Sequence, residues 1–219
     1  MTSDTAHVTV RPMTMDDVKA VVAIHRQSFP GSRSTNLGDA FLRKMYRWYL
    51  TFYPELAWVA CIDAQVMGFV TGATGGSARR RFRYALPEIV WGFLTHPRIL
   101  LQPDMFELWQ SYLMGLLPEY RNAKTLPPSA DQLLGTQPKI EMRVKLDSIA
   151  VHQNARGRNV GKSLVLAFEL AAKKRGATKL GLGVEADNIA ARHLYEVCGW
   201  HLDLEDIMHN SAIYSKVIE

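Results

Sequence analysis

Cysteine is scarce in this chain. Cys61 and Cys198 are the two present in 219 residues, far apart and in no framework pattern, so the sequence does not describe a disulfide scaffold. The seven histidines show no H-x-x-x-H spacing and no cysteine partnership, and no metal site is expected. Long apolar runs are missing as well. The longest candidates, such as "EIVWGFL" at 88–94, fall far short of the roughly 20 residues a bilayer crossing needs, and the start Met1-Thr2-Ser3-Asp4 has no basic then apolar segment. A cytoplasmic protein is expected. "GLGVEA" holds Gly181 and Gly183 but no third glycine, which excludes a dinucleotide fingerprint. "ARGRNVGKSL" comes within one residue of the triphosphate loop G-x-x-x-x-G-K-[ST], but position 156 is arginine where the first glycine belongs. Loop length sets which N–H groups converge, so a nucleoside triphosphate is the second choice there. Internal repeats and low-complexity tracts are also absent.

What is present describes a folding enzyme-sized chain. With 47% hydrophobic and 21% charged residues, 219 residues bury one full core, and residues 1–219 are expected to form a single domain with elaborations. Lys and Arg number 26 against 21 Asp and Glu, a net charge of +5 that favours an anionic ligand; nucleic acid is one candidate among several.

"HVTVRPM" alternates like a strand, and Thr14 with Asp17 forms a capping-box pattern before a helix whose Val18, Val21, Val22, His25 and Phe29 share a face. That setting makes His25 a packed core histidine rather than a base. A second helix is expected to bury Leu37, Phe41, Met45, Trp48 and Phe52, with Tyr46, Tyr49 and Tyr53 also available for packing. "AWVACIDA" and "QVMGFVTGAT" read as a hairpin. Residues from about 75 to 138 interrupt this rhythm, and a structureless loop of that length is improbable, so two or three helices are expected there, with a connection at Pro127-Pro128. Arg79, Arg80, Arg81 and Arg83 beside Phe82, Trp91 and Phe93 suit a helical subdomain, a lid or a peripheral membrane contact.

The last third carries the chemistry. "KIEMRVKLDSIAV" reads as a strand, Val160, Leu164, Ala167, Phe168 and Ala171 as the inner face of a helix stopped at Gly176, and "TKLGLGVEA" as another strand. Asn188 is placed to cap "IAARHLYEVC", and two strand-like segments close the chain, giving an α/β (α+β mixed-sheet) order. A loop entering a helix N-terminus presents unpaired N–H groups and partial positive charge, which suits a phosphate or pyrophosphate; Arg156, Arg158 and Lys162 add full charges. Asn159 stands where glycine is easiest, and asparagine tolerates left-handed backbone.

"LDSIAVHQNARGRNVGKSLV" resembles the signature of the GNAT family of acyl-CoA N-acyltransferases, a strand followed by [QR]-x-x-G-x-[GA], with Arg156 and Gly161 matching and Asn159 in place of the first glycine. "VEADNIAARHLYEVCGW" is similar to that family's next segment, an Asn opening a helix that carries a Tyr and ends in a Gly-aromatic pair. The resemblance covers Leu146 to about Trp200. It implies the GNAT fold with a helical insertion between the third and fourth strands, acetyl-CoA as co-substrate and a small-molecule amine as acceptor. It implies that Arg156, Gly157, Arg158, Asn159, Val160, Gly161 and Lys162 hold the pyrophosphate, that backbone of Ile149, Ala150 and Val151 meets pantetheine, that Asn188 contacts it too, and that Tyr195 protonates the leaving thiolate.

For the base, Asp147 is preferred, with Glu141 on the same face of the strand and Glu88 and Glu107 from the insertion as alternatives; Lys145 can instead pair with a carboxylate. Cys198 reads as a small buried residue. "HRQSFPGSRSTNLGDAFLRKMY" followed by an arginine-rich insertion resembles GNAT members associated with cell-surface polysaccharide synthesis, which implies a nucleotide-linked or lipid-linked amino sugar, with Arg33 and Arg79 to Arg83 meeting its diphosphate. The same patch suits a peptide acid, an anionic antibiotic or a membrane. A coenzyme-binding module without turnover is the remaining alternative.

Overall fold

The computed structural model describes residues 7–75, 77–95 and 142–218. The elements in order are β1 (Thr9–Pro12), α1 (Val18–Ser28), the one-turn α2 (Arg33–Asn36), α3 (Gly38–Phe52), β2 (Ala57–Ile62), β3 (Gln65–Thr74), α4 (Ser77–Thr95), β4 (Arg143–Val151), α5 (Val160–Lys174), β5 (Lys179–Val184), α6 (Ile189–Val197), β6 (His201–Asp206) and β7 (Ser211–Val217). Seven strands form one sheet in the order β1-β2-β3-β4-β5-β7-β6, antiparallel throughout except for β4 against β5. The hairpin between β2 and β3 turns on Asp63 and Ala64, both with positive φ, the twist a two-residue connection requires.

The capping box forms as expected: Asp17 Oδ2 accepts from the Thr14 N–H and hydroxyl, and Arg11 donates two bonds of 2.7 Å to the same carboxylate. α1 buries Val18, Val21, Val22 and His25. It shares one face of the sheet with α3; α5 covers the other, its Val160 and Leu164 lying against Gly68 and its Phe168 against Gly72. A Cβ at Gly72 would lie 2.4 Å from both the Lys145 carbonyl and the Phe168 ring, so helix and strand approach there only across a glycine.

α3 corrects the expected pattern. Leu37 and Trp48 are buried as expected, but so are Leu42, Tyr46, Tyr49 and Tyr53, while Phe41 joins Leu37 in a cluster with Ala85 and Ile89 of α4 and Phe52 stays 40% exposed. The helix lies between the sheet and α4 and is therefore apolar on two sides; a single periodic face undercounts it. The phenols tolerate burial because each hydroxyl finds a partner, as Tyr53 does in the Thr74 hydroxyl at 2.9 Å.

The insertion between β3 and β4 begins as helix α4. Its further residues, with Glu107, Pro127-Pro128 and Glu141, lie outside the described structure, as do the side chains of Arg79, Phe82 and Phe93. No helix among the described residues is long and apolar enough to cross a membrane.

Candidate active site

Two irregularities in β4 shape the candidate site. The first is a bulge: Thr71 of β3 faces Ser148 while the next residue, Gly72, faces Leu146, leaving Asp147 as an extra residue. Strict alternation would send Asp147 and Ser148 to opposite faces. The bulge instead turns both toward α3, where Asp147 meets Tyr49 and Ser148 meets Tyr46. The second is a split. β4 pairs β5 only from Arg143 to Lys145, so beyond Leu146 its edge has no strand beside it among the described residues. The His152 N–H bonds the Met67 carbonyl on the β3 side, which by alternation points the backbone of Ile149 and Val151 into the split, while Ala150 bonds toward β3. The Val151 carbonyl is met there by Arg156 Nε at 3.4 Å.

The loop after β4 lies at the same end. Gly157 (φ +76°) and Asn159 (φ +60°, ψ +10°) adopt left-handed backbone, and no side chain caps α5, so the N–H groups of Val160, Gly161 and Lys162 have no intrahelical partner. The asparagine takes the conformation that a glycine would have supplied most easily. Arg156, Arg158 and Lys162 are exposed around it. A Cβ on Gly161 would lie 3.0 Å from Leu194 and 3.8 Å from Val151, so the end of β4, the start of α5 and the middle of α6 converge at one glycine. Such an arrangement fits a pyrophosphate at the helix N-terminus with an extended chain along the open edge of β4.

α6 begins as expected, with Asn188 Oδ1 accepting from the Ala191 N–H at 3.1 Å and its amide N–H groups still available as donors. Tyr195 follows Leu194 and is buried, its ring 6.0 Å from those of Trp200 and Tyr214. Burial pushes its phenol well above the ordinary value, so it is a proton donor at any working pH. Cys198 is buried, and burial, then Glu169, pushes its thiol up as well, which does not suit a nucleophile.

On the α3 side, Asp147 does not pair with Lys145, which is exposed. Its Oδ2 accepts from Arg81 of α4 and from the Tyr49 hydroxyl, each at 2.9 Å, and Arg81 also bonds that hydroxyl and lies over the Tyr49 ring. Burial, then the Asp147 carboxylate, pushes Tyr49 well above the usual phenol range and keeps it a donor. Arg81 therefore leaves the expected surface patch, whereas Arg33, Arg80 and Arg83 are exposed. Glu88 is held by Lys44 of α3 at 3.2 Å. No hydrogen bond joins Asp147, on β4, to Tyr195, on α6.

His25 is a core histidine, as its periodicity indicates, with both ring nitrogens in hydrogen bonds: Nδ1 to Tyr46 at 2.6 Å and Nε2 to Ser34 at 3.0 Å. Burial lowers its pKa to about 4. In the unfolded chain it titrates near about 6.5, so acid favours unfolding: the stabilisation is complete above that value and is lost as pH falls toward 4. Urea denaturation at pH 7 and pH 4.5 is expected to show a loss approaching about 3 kcal/mol, and His25→Gln a shallower one. Equal pH slopes in the two proteins would remove His25 as the cause. Asp17, whose carboxyl Arg11 holds below its usual range, acts only at lower pH.

Residues 133–200, spanning β4, the loop, α5, β5 and α6, match the family model described as acetyltransferase (GNAT) family. No curated protein sequence matches. Among solved structures, yncA from Salmonella typhimurium, determined with its cofactor acetyl-CoA, is 13% identical with a TM-score of 0.58 over 97% of this chain and 95% of its own. Ard1 from Thermoplasma volcanium is 14% identical with a TM-score of 0.57 over 97% and 98%, and an N-acetyltransferase from Staphylococcus aureus Mu50 is 15% identical with a TM-score of 0.57 over 97% and 99%. At these identities the likeness is one of fold, a GNAT acetyltransferase fold, and within it residues 133–200 carry the match to that family's model.

Proposed function

We propose that this protein transfers an acetyl group from acetyl-CoA to the primary amine of a small molecule by direct attack in a ternary complex. The observation that carries this reading is the open edge of β4 at Ile149–Val151 ending beside an uncapped helix N-terminus. In it the loop Arg156–Lys162 holds the pyrophosphate, Ile149 and Val151 bond the pantetheine amides through their backbone with Ala150 between them, and Asn188 donates to the same chain. The Val151 N–H stabilises the oxyanion as the amine attacks the thioester carbonyl. Tyr195 gives its proton to the departing thiolate. Asp147, at the bulge, draws the acceptor ammonium and is the nearest proposed proton acceptor for it along β4. A nucleotide- or lipid-linked amino sugar is the proposed acceptor class, with exposed Arg33, Arg80 and Arg83 available to its diphosphate.

Thiol release from acetyl-CoA, measured across nucleotide-linked amino sugars, free amino sugars, polyamines, amino acids and short peptides, tests the reading. Turnover on the nucleotide-linked sugars alone is expected. Turnover confined to peptides or polyamines would replace the acceptor class, and silence with coenzyme binding intact would remove the enzymatic reading.

A further inference from the structure

Helix α4 has a face that the fold does not use. Ala85 and Ile89 pack on Leu37 and Phe41, Glu88 bonds Lys44, and Arg81 ends on Asp147, so one side of the helix is committed to α3 and the β4 bulge. The residues between them at helical spacing lie on the other side. Arg80, Arg83, Leu86, Pro87, Val90 and Trp91 are all exposed, with Leu86 at 40%, Val90 at 50% and Trp91 at 61%. Tyr84 borders this strip, and its ring meets that of the equally exposed Phe52 of α3 edge-on at 5.9 Å.

The outer face of a helix packed on a core is ordinarily polar. This one holds large apolar side chains with two guanidiniums and, among the described residues, no carboxylate, because Glu88 lies on the α3 side. Two copies of the chain pressed together here would set arginine against arginine, so the face is not complementary to itself. Apolar groups beside cations match instead a surface that offers hydrocarbon beneath anionic phosphates. Arginine stems lie along apolar surface while their forked heads take phosphate oxygens. Pro87 limits the depth. It has no N–H for the Arg83 carbonyl, and a backbone oxygen without its donor stays among headgroups and water rather than in hydrocarbon.

We propose that α4 docks this protein on an anionic phospholipid surface, with Leu86, Val90 and Trp91 entering the headgroup boundary and Arg80 and Arg83 meeting the phosphates. The contact asks for no spanning helix, since an interfacial one lies in the membrane plane with one face buried. Arg81 leaves the opposite side of the same helix to hold Asp147, so the bilayer comes within about 10 Å, one helix diameter, of the proposed acceptor side. The docking does not depend on the acyl transfer proposed above.

Flotation of the full chain with lipid vesicles tests the docking. The wild type is expected to bind vesicles of equal parts phosphatidylcholine and phosphatidylglycerol, to leave vesicles of phosphatidylcholine alone, and to lose most of its binding as salt is raised. Leu86→Glu with Val90→Glu, and separately Arg80→Glu with Arg83→Glu, are each expected to weaken partition by about tenfold or more. Melting temperatures in vesicle-free buffer are expected to stay unchanged, because all four side chains are exposed. The milder pairs Leu86→Ser with Val90→Ser and Arg80→Gln with Arg83→Gln carry the test if the glutamates disturb α4. Equal binding to both vesicles, binding to neither, or full binding by either double variant overturns the proposal. A concentration-dependent wild-type dimer in sedimentation that Leu86→Glu with Val90→Glu dissolves also overturns it, because a second copy then covers the face.

Discussion

Tyr195→Phe is expected to lower turnover by about 100-fold while leaving the KM for acetyl-CoA within a factor of two, since loss of a positioned general acid costs typically that much or more. The expectation rests on where the phenol sits. Tyr195 is the residue after Leu194, whose side chain closes on Gly161 at the head of α5, so its helix stands over the convergence of β4, the anion loop and α6. Phenylalanine keeps the ring contacts with Trp200 and Tyr214, and the fold has no reason to change. The hydroxyl alone is removed. A thiolate leaving without a proton donor must be protonated by water, so the loss belongs in kcat. Steady-state kinetics with a reactive acceptor measure it, and full turnover in the variant would take the acid role away from Tyr195. Because burial holds the phenol protonated, the wild-type rate is also expected to show no alkaline loss from this group through the neutral range.

Asp147→Ala is expected to destabilise the protein by about 3 kcal/mol and to abolish measurable turnover. Removing one partner of a buried ion pair leaves the other charge uncompensated, at a cost of about 3–5 kcal/mol; here Arg81 keeps 26% exposure, which places the loss at the lower end. Tyr49 loses its acceptor in the same step, although Arg81 remains beside it. The double variant Asp147→Ala with Arg81→Met removes both charges, and its destabilisation is expected to fall well below the sum of the two single ones. Urea denaturation of the four proteins closes the cycle. Additive losses would show that the two residues do not stabilise each other, and an active Asp147→Ala enzyme would end the proposed role of the carboxylate in drawing the acceptor.

This coupling also gives α4 a part in the site. Arg81 comes from the insertion after β3, yet its guanidinium lies over Tyr49, within reach of Trp48, and ends on the β4 bulge. Any shift of α4 would therefore reach Asp147 directly. The surface between the bulge and the α1–α2 turn, rather than the coenzyme loop, is where acceptor choice is expected to be made.

Much of the local geometry on the side proposed for the coenzyme was legible from neighbouring residues. A strand, a turn with Gly157 and Asn159, a helix starting at Val160, and Asn188 capping a second helix with Tyr195 inside it are each specified within a few positions, because backbone conformation at a turn and hydrogen bonding at a helix start are short-range. His25 was likewise read correctly as a core residue from its period alone. The face of α3 was legible only in part, in Leu37 and Trp48, since α4 supplies a second surface for its apolar residues and periodicity within one helix does not announce a second neighbour.

The order of elements, the left-handed turn at the head of α5 and the capped start of α6 are written in the sequence, through interactions between residues close in the chain. The bulge at Asp147, the parting of β4 from β5 after Lys145, the pairing of Asp147 with Arg81 instead of Lys145, and the bonds of His25 to Tyr46 and Ser34 exist only in the tertiary structure. A bulge and a split are relations between two strands, and the ion pair joins a strand residue to a helix that meets it only when the layers are packed. Alternation along β4 contains none of those partners, so the acceptor side became readable only once the layers were packed.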